Sequence, residues 1–131
     1  MKLKRFAPHW IESSRESIPV NLNLGDVPAQ IPHDISLCLL RVTQEALTNV
    51  GRHARSKTAA VSLQVSSGGL ELTVTDNGVG FETGIESRQR LGLASMQERV
   101  RLLEGKLTVD STPSQGTMVQ AWVPFEEKRV G

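Results

Sequence analysis

Apolar and polar residues alternate with a period of two along several stretches of this chain, as they do in half-buried β-strands. The alternation over residues 18–24 predicts a strand. Pro19 indicates that this strand either lies at an edge or begins late, because proline cannot donate to a central ladder. Residues 58–66 and 70–75 alternate on either side of Gly68-Gly69, which predicts a β-hairpin.

Two other stretches have a helical period. From about Asp34 to His53 the apolar residues recur at steps of three and four, which predicts a long amphipathic helix entered through Pro32. The spacing of Ser95-Met96-Gln97-Glu98 is that of a capping box and predicts a helix start nearby, with Gly105 ending that helix. Residues 6–16 are compatible with a short first helix.

Two last strands, over about 106–111 and 117–124, complete a predicted order of α-β-α-β-β-α-β-β. Helices separated by antiparallel hairpins favour an α+β fold, a two-layer α/β sandwich. Its sheet is expected to be mixed and mostly antiparallel, with the helices packed on one face. The 131 residues fit a single compact domain, so we expect residues 1–131 to fold around one core.

The composition narrows the function classes. The chain has 15 Lys+Arg against 14 Asp+Glu, which argues against a dedicated nucleic-acid binder because such proteins carry a strongly basic surface. The single cysteine, Cys38, excludes an intrachain disulfide and a Cys-based zinc site. The sequence has neither the apolar core of a signal peptide nor an apolar run near the roughly 20 residues that span a bilayer. We therefore expect a cytoplasmic domain without direct membrane contact.

Polar residues form a narrow stripe on the long predicted helix. At about 100° per residue, Glu45, Asn49 and Arg52 lie on one side of it, beside the apolar face centred on Val42 and Ala46. A carboxylate, an amide and a guanidinium in this place are either the polar border of an amphipathic helix or part of a binding site. The helix alone leaves both interpretations open.

The segment Asp76-Asn77-Gly78-Val79-Gly80 follows the second strand of the hairpin. An Asn-Gly pair after an alternating run often marks another hairpin turn, but residues 79–84 do not alternate as a return strand would. The alternative is a binding loop, in which Asp76 accepts a hydrogen bond from the exocyclic amine of a flat ligand lying against bare backbone. Turn and site remain equally open for this segment alone.

Two more glycine-containing segments stand directly before predicted elements. Gly92, in Leu91-Gly92-Leu93, precedes a helix whose free N–H groups and positive dipole end suit a phosphate. The run Ser114-Gln115-Gly116-Thr117 precedes the last strand and on its own favours a hairpin turn.

In this order, the four segments resemble the N, G1, G2 and G3 boxes of the GHKL (Bergerat-fold) ATPases. Residues 44–54, QEALTNVGRHA, look like the N box of sensor histidine kinases of the nitrate-sensor and desaturase-regulator class. Residues 91–99, LGLASMQER, resemble their G2 box and the helix that follows it. The resemblance covers about residues 16–125 and implies the Bergerat fold and the use of ATP and Mg²⁺.

The resemblance also implies a role for individual residues. Asp76 would bind the adenine amino group, Thr117 would support Asp76, Asn49 would help to hold Mg²⁺, and Glu45 would act as a general base or polarising group. His53 would contact the nucleotide or cap the helix end. The full set of implied ATP-binding residues is Asn49, Arg52, His53, Asp76, Gly78, Val79, Gly80, Leu91, Gly92, Leu93 and Thr117.

The chain departs from the pattern of these boxes at two positions, where Arg90 and Ser114 replace glycines. It also has no segment that resembles a phosphoacceptor helix. We therefore expect a histidine-kinase catalytic domain excised from a longer protein, which binds Mg-ATP without phosphorylating itself. It would donate the γ-phosphoryl group to a histidine on a separate dimerisation domain, with a response regulator downstream. Two alternatives stay open: a regulatory protein like the serine-kinase anti-sigma factors, and a degenerate nucleotide-binding module without transfer activity.

Overall fold

A computed structural model describes residues 20–28, 30–50, 58–78, 92–112 and 116–125 of the chain. The described residues form five strands and two helices. In chain order these elements are β1 (Val20–Leu24), α1 (His33–Asn49), β2 (Ala59–Ser66), β3 (Gly69–Asp76), α2 (Leu93–Leu102), β4 (Lys106–Thr112) and β5 (Gly116–Pro124).

The strands form one mixed sheet in the order β1-β2-β3-β5-β4. β1 pairs with β2 in parallel, whereas every other neighbouring pair is antiparallel. A parallel pair needs a long crossover, and α1 lies in the connection between β1 and β2. β1 lies at the edge of the sheet, one of the two alternatives that Pro19 indicated, and the predicted mostly antiparallel mixed sheet is confirmed.

The core lies between one face of the sheet and the two helices. Alternate residues of β2, β3 and β5 are buried on this face, and the predicted apolar face of α1 meets them. The buried residues of α2 are Leu93, Met96 and Val100, with Leu103 partly buried beside them. The fully or nearly fully buried side chains include Leu39, Val42, Leu63, Leu70, Leu72, Val74, Met96, Val100 and Val123.

The prediction that a helix starts near Ser95, directly after Gly92, is confirmed, but the capping box predicted at Ser95 is wrong. The helix begins two residues earlier, at Leu93, and its N-cap is Gly92 in a left-handed conformation without a side-chain cap hydrogen bond. Ser95 therefore lies inside the helix. The Glu98 carboxylate accepts hydrogen bonds from Arg101 at 3.0 and 2.7 Å, a pair within one turn of the exposed helix surface. The three-residue spacing of a capping box is also the spacing of neighbouring residues on the surface of a helix, so the sequence alone does not distinguish the two.

The end of α2 differs from its prediction in one detail. Glu104, at φ 60°, takes the left-handed conformation expected of a glycine. Its N–H donates to Arg101 O, and the N–H of Gly105 donates to Val100 O, both at 2.9 Å, which is the Schellman arrangement. Gly105 is required for a different reason, since a Cβ there would overlap the Trp122 carbonyl oxygen.

The hairpin between β2 and β3 turns at Ser67-Gly68, one residue earlier than predicted, and Gly69 is already part of β3. Ser67 and Gly68 both have positive φ, at 49° and 74°, as a tight two-residue hairpin turn demands. Trp122 covers Gly69 and donates its indole N–H to Ser66 O at 2.8 Å. Trp122 is therefore a packing residue at this hairpin.

Some predictions concern residues outside the described ranges. These are the first helix over 6–16, the last turn of the long helix up to His53, and the loop over 79–91. Within the described ranges, no helix is both long enough and apolar enough to cross a membrane.

Candidate functional site

A row of polar residues ends the apolar face of the sheet. Alternation along β3 puts Asp76 on the same side as Leu72 and Val74, facing the helix layer. Its neighbour on β5 is Thr117, and the neighbour of Thr117 on β4 is Ser111. The row Asp76-Thr117-Ser111 therefore lies at one end of the sheet, on the face that is otherwise filled by the core.

Backbone groups fix the carboxylate of Asp76. The N–H of Gly78 donates to Asp76 Oδ1 at 2.8 Å. Partial burial raises the pKa of Asp76, and backbone hydrogen bonds from Gly78 and Thr117 partly oppose that rise. A half-buried carboxylate with fixed orientation is a suitable acceptor for a ligand N–H group.

Gly116 brings the start of β5 against the end of β3. It has φ 91°, and a Cβ there would overlap the Asp76 carbonyl oxygen and lie 3.1 Å from the Asn77 Cα. The next residue, Thr117, has its hydroxyl 2.8 Å from that of Ser111. Sequence reasoning missed Ser111, although its position in the alternation after Leu107 and Val109 could have indicated it.

Open space borders Asp76 at this end of the sheet. A depression of about 560 Å³ is lined by residues from the ends of β1, β2 and β3 and from the segments beside them. Asn21, Ala60 and Thr75 are cross-strand neighbours that alternate with Asp76, so their side chains lie on the face of the sheet away from the helices, and the Asp76 carboxylate does not point into most of this depression. The lining residues are Asn21, Thr58, Ala59, Ala60, Thr75, Asp76 and Asn77.

A second group of predicted site residues lies where α1 meets α2. Glu45 is half-buried, and its carboxylate lies against Gly92 so closely that a Cβ on Gly92 would overlap Glu45 Oε1. Further along the same pair of helices, burial raises the pKa of the Cys38 thiol, and the nearby charge of Arg99 partly opposes this. Since Glu45 is near Gly92 and Cys38 is near Arg99, the two helices run antiparallel.

The remaining predicted residues have different surroundings. Asn49 is half-buried at the end of α1, one turn beyond Glu45. Partial burial of both residues agrees with the predicted polar stripe beside the apolar face of the helix. The side chain of Leu93 packs in the core, which leaves only its backbone for contact with a ligand. The other predicted site residues, Arg52, His53, Val79, Gly80 and Leu91, lie outside the described residues.

The donor set at the α1–α2 contact fits a magnesium ion that is shared with phosphates. Mg²⁺ keeps several waters and is held by one or two protein oxygens together with substrate phosphates. Glu45 and Asn49 provide one carboxylate and one amide oxygen on adjacent turns of α1. The described residues contain no group of three or more His, Cys, Asp or Glu side chains able to hold a metal without such a substrate.

Residues 35–127 match the family model described as histidine kinase-, DNA gyrase B-, and HSP90-like ATPase. The chain belongs to this ATPase family. The match begins at the third residue of α1 and extends past the end of β5, so both polar groups lie inside it. The predicted relationship to GHKL ATPases is confirmed, and with it the use of ATP.

Curated relatives of this ATPase domain are sensor histidine kinases. The chain is 34% identical over 130 residues to the sensor histidine kinase MctS of Rhizobium johnstonii, covering 97% of this chain and 28% of that protein. It is 34% identical over 111 residues to the oxygen sensor histidine kinase NreB of Staphylococcus carnosus, covering 84% and 32% respectively. The chain thus spans about a third of the length of these relatives. Within the family, it is an ATP-binding catalytic domain of the histidine-kinase type.

A solved structure supports the same conclusion for the fold. The histidine kinase domain of the blue-light activated histidine kinase from Erythrobacter litoralis EL346 matches with a TM-score of 0.73 at 26% identity. The match covers 93% of this chain and 58% of that one. The predicted two-layer α/β sandwich is therefore confirmed as the fold of histidine-kinase ATPase domains.

Proposed function

We propose that this domain binds Mg-ATP and transfers the γ-phosphoryl group to a histidine on a separate dimerisation domain. The observation that carries the proposal is the presence of two polar groups, one at the end of the sheet and one where α1 meets α2. Asp76 is held beside Thr117 at one end of the sheet, and Glu45 lies against Gly92 at the start of α2. Membership of the ATPase family, and relatives named sensor histidine kinases, support the same function.

The position of α2 supports one nucleotide spanning both groups. The helix begins at Leu93, directly after Gly92, and is followed by Gly105, which packs against Trp122. Trp122 is five residues from Thr117 along β5, a distance of roughly 17 Å. The ten residues of α2 rise by about 15 Å, a similar length. Because the two lengths are similar, α2 would start level with Asp76 if it ends level with Trp122. The start of α2 and the Asp76 carboxylate would then border the same nucleotide.

At the adenine end, Asp76 would accept a hydrogen bond from the exocyclic amino group. Its orientation is already fixed by the N–H groups of Gly78 and Thr117, so little reorganisation is needed on binding. Gly78, Val79 and Gly80 would form the loop that passes close to the nucleotide. The hydroxyl of Thr117, paired with Ser111, would border the base.

At the phosphate end, the start of α2 would supply N–H groups and the positive end of the helix dipole. Leu91, Gly92 and Leu93 are the residues proposed to contact the phosphates there. Arg52 and His53, just beyond α1, would add cationic or hydrogen-bonding contacts. In phosphoryl transfer such positioning and charge neutralisation supply most of the catalysis.

Asn49 would help to hold the magnesium ion, which neutralises charge on the phosphate oxygens when it is bound. Glu45 has a different proposed role, in the transfer itself. The unprotonated imidazole nitrogen would attack the γ-phosphorus as ADP leaves, and the Glu45 carboxylate would accept the proton carried by the other ring nitrogen, as a general base does. The histidine on the other domain would then carry the phosphoryl group.

The remaining partners follow from the same proposal. The chain would act as the catalytic unit of a longer sensor kinase, and the phosphorylated histidine would pass its phosphoryl group to a response regulator. The relatives named sensor histidine kinases support this assignment. A cytoplasmic location remains a prediction, consistent with the need for ATP.

Calorimetric titration with ATP, in the presence of Mg²⁺ or of EDTA, tests the first half of the proposal. We expect binding that weakens when the metal is removed. The second half is tested by incubating the domain with [γ-³²P]ATP and a phosphoacceptor domain from a sensor histidine kinase. An acid-labile phosphohistidine is expected. A phosphoserine on a small antagonist protein instead would support the serine-kinase alternative, and binding without transfer to any acceptor would support a degenerate module.

A further inference from the structure

The side chain of Glu45 fills the space that any side chain at position 92 would need. A Cβ on Gly92 would overlap Glu45 Oε1 and would lie 3.0 Å from its Cδ and 3.2 Å from its Cγ. The three heavy atoms nearest to that Cβ thus all belong to Glu45. The contact joins α1 to the N-cap of α2, the two elements that carry the proposed phosphate and metal contacts.

Two separate requirements therefore act on position 92. The first is the positive φ of 68°, which glycine adopts without strain and which asparagine also tolerates. The second is the absence of a Cβ, which glycine alone satisfies. We infer that Gly92 is a positioning residue for the Glu45 carboxylate, because its missing side chain leaves the space in which that carboxylate lies. The catalytic part of the inference rests on the role that the proposed function gives to Glu45. The contact between Glu45 and Gly92 rests on the geometry alone.

The physical consequence of filling that space is local. Oε1 and Cδ are the far end of a flexible side chain, so Gly92→Ala can be accommodated when the carboxylate of Glu45 turns away. Neither helix has to move. The added methyl group should therefore cost little stability beyond the strain of the positive φ. Its cost to catalysis should be large, because a displacement of about 1 Å in a reacting group can lower a rate about 100-fold.

The chain contains a matched control for the backbone strain. Gly68 has φ 74°, close to that of Gly92, yet a Cβ there would meet nothing within 4 Å. Gly68→Ala and Gly92→Ala should therefore lower the Tm by similar amounts, about 3–8 °C each. Only Gly92→Ala should change the position of Glu45, and crystal structures of the two variants would show whether it does.

The kinetic test compares wild type, Gly68→Ala, Gly92→Ala, Glu45→Gln and the double variant Gly92→Ala/Glu45→Gln. The measured quantities are kcat and KM for ATP in phosphoryl transfer to the supplied phosphoacceptor domain. Glu45→Gln removes a general base and should lower kcat about 100-fold or more. We expect Gly92→Ala to lower kcat by a similar factor, with KM changed less than threefold by our estimate. Adding Glu45→Gln to it should then lower kcat little further.

Other outcomes would overturn the inference. If Gly92 acts only through its own contact with the phosphates, Gly92→Ala will raise KM, and the losses of the two single variants will multiply in the double variant. A structure of Gly92→Ala in which Glu45 keeps its position would contradict the inference without any kinetics. A wild-type domain that transfers no phosphoryl group would contradict the proposed function instead. The crystal structures of Gly68→Ala and Gly92→Ala would still test whether Gly92 determines the position of Glu45.

Discussion

The carboxylate of Asp76 accepts the N–H of Gly78, two residues ahead, at 2.8 Å. This Asx turn uses the aspartate side chain in place of a backbone carbonyl and turns the chain as β3 ends. It explains why an Asn-Gly pair after an alternating strand need not begin a hairpin. The same bond fixes the orientation of a half-buried carboxylate on the helix side of the sheet.

The first prediction concerns the charge of this carboxylate. Asp76→Asn keeps an oxygen that can accept the Gly78 N–H, but it presents an amide N–H group toward a ligand amine. A hydrogen bond to a charged group contributes about 1.5–3 kcal/mol, so the affinity for ATP should fall about 10- to 100-fold. Calorimetric titration measures this loss directly.

Asp110→Asn is the matched control for that experiment. It removes the same charge from an exposed position on the edge strand β4, next to Ser111 but on the opposite face of the sheet from the polar row. Its affinity for ATP should equal that of the wild type within about twofold. An equal loss in both variants would show that net charge, and not the contact at Asp76, controls binding.

The second prediction follows from the raised pKa of Asp76. Because burial raises that pKa above its ordinary value of 3.8, the stability contributed by this group is greatest below pH 3.8 and is lost as the pH rises through the raised pKa. Asp76→Asn removes this cost, so at pH 7 the variant should unfold at a slightly higher temperature than the wild type. The difference should disappear near pH 3, and thermal unfolding followed across this pH range checks both statements. A variant less stable than the wild type at pH 7 would mean that the hydrogen bonds outweigh burial.

Most of the fold could be predicted from local patterns. The long helix α1 and the hairpin of β2 and β3 have strong periods, and each buries the face that its sequence indicates. Pro19 indicated that β1 lies at an edge or begins late, and β1 does lie at the edge of the sheet. These features depend on neighbours along the chain, which is why sequence reasoning finds them.

The contacts between distant segments could not be predicted in the same way. Nothing in the sequence indicates that Glu45 touches Gly92, since 46 residues separate them and the contact depends on how two helices pack. Likewise, the pair of Thr117 and Ser111 depends on the register of β4 against β5. The family resemblance predicted which residues belong to the site. Their distances and orientations depend on how the helices and strands pack.

The third prediction concerns the close approach of β5 to β3. In Gly116→Ala, the new Cβ would overlap backbone atoms of Asp76 and Asn77, which cannot rotate away as a side chain can. Backbone strain at φ 91° adds to this overlap, and together they should lower the free energy of unfolding by about 2–5 kcal/mol. Urea unfolding measures the loss, and Gly68→Ala, with a similar φ but open space, should cost only about 1–2 kcal/mol. Equal losses would show that the overlap is relieved by a shift of β5.

The last prediction uses the left-handed residue at the end of α2. Glu104 is exposed and has φ 60°, so its side chain adds strain while its N–H closes the Schellman motif. Glu104→Gly should keep that hydrogen bond and relieve the strain, which should raise the free energy of unfolding by about 1 kcal/mol and the Tm by about 3–6 °C. Gln97→Gly is the control, because the same glycine inside the exposed face of α2 should lower stability by about 1 kcal/mol. If Glu104→Gly also lowered the Tm, the added freedom of the unfolded chain would outweigh the strain at this position.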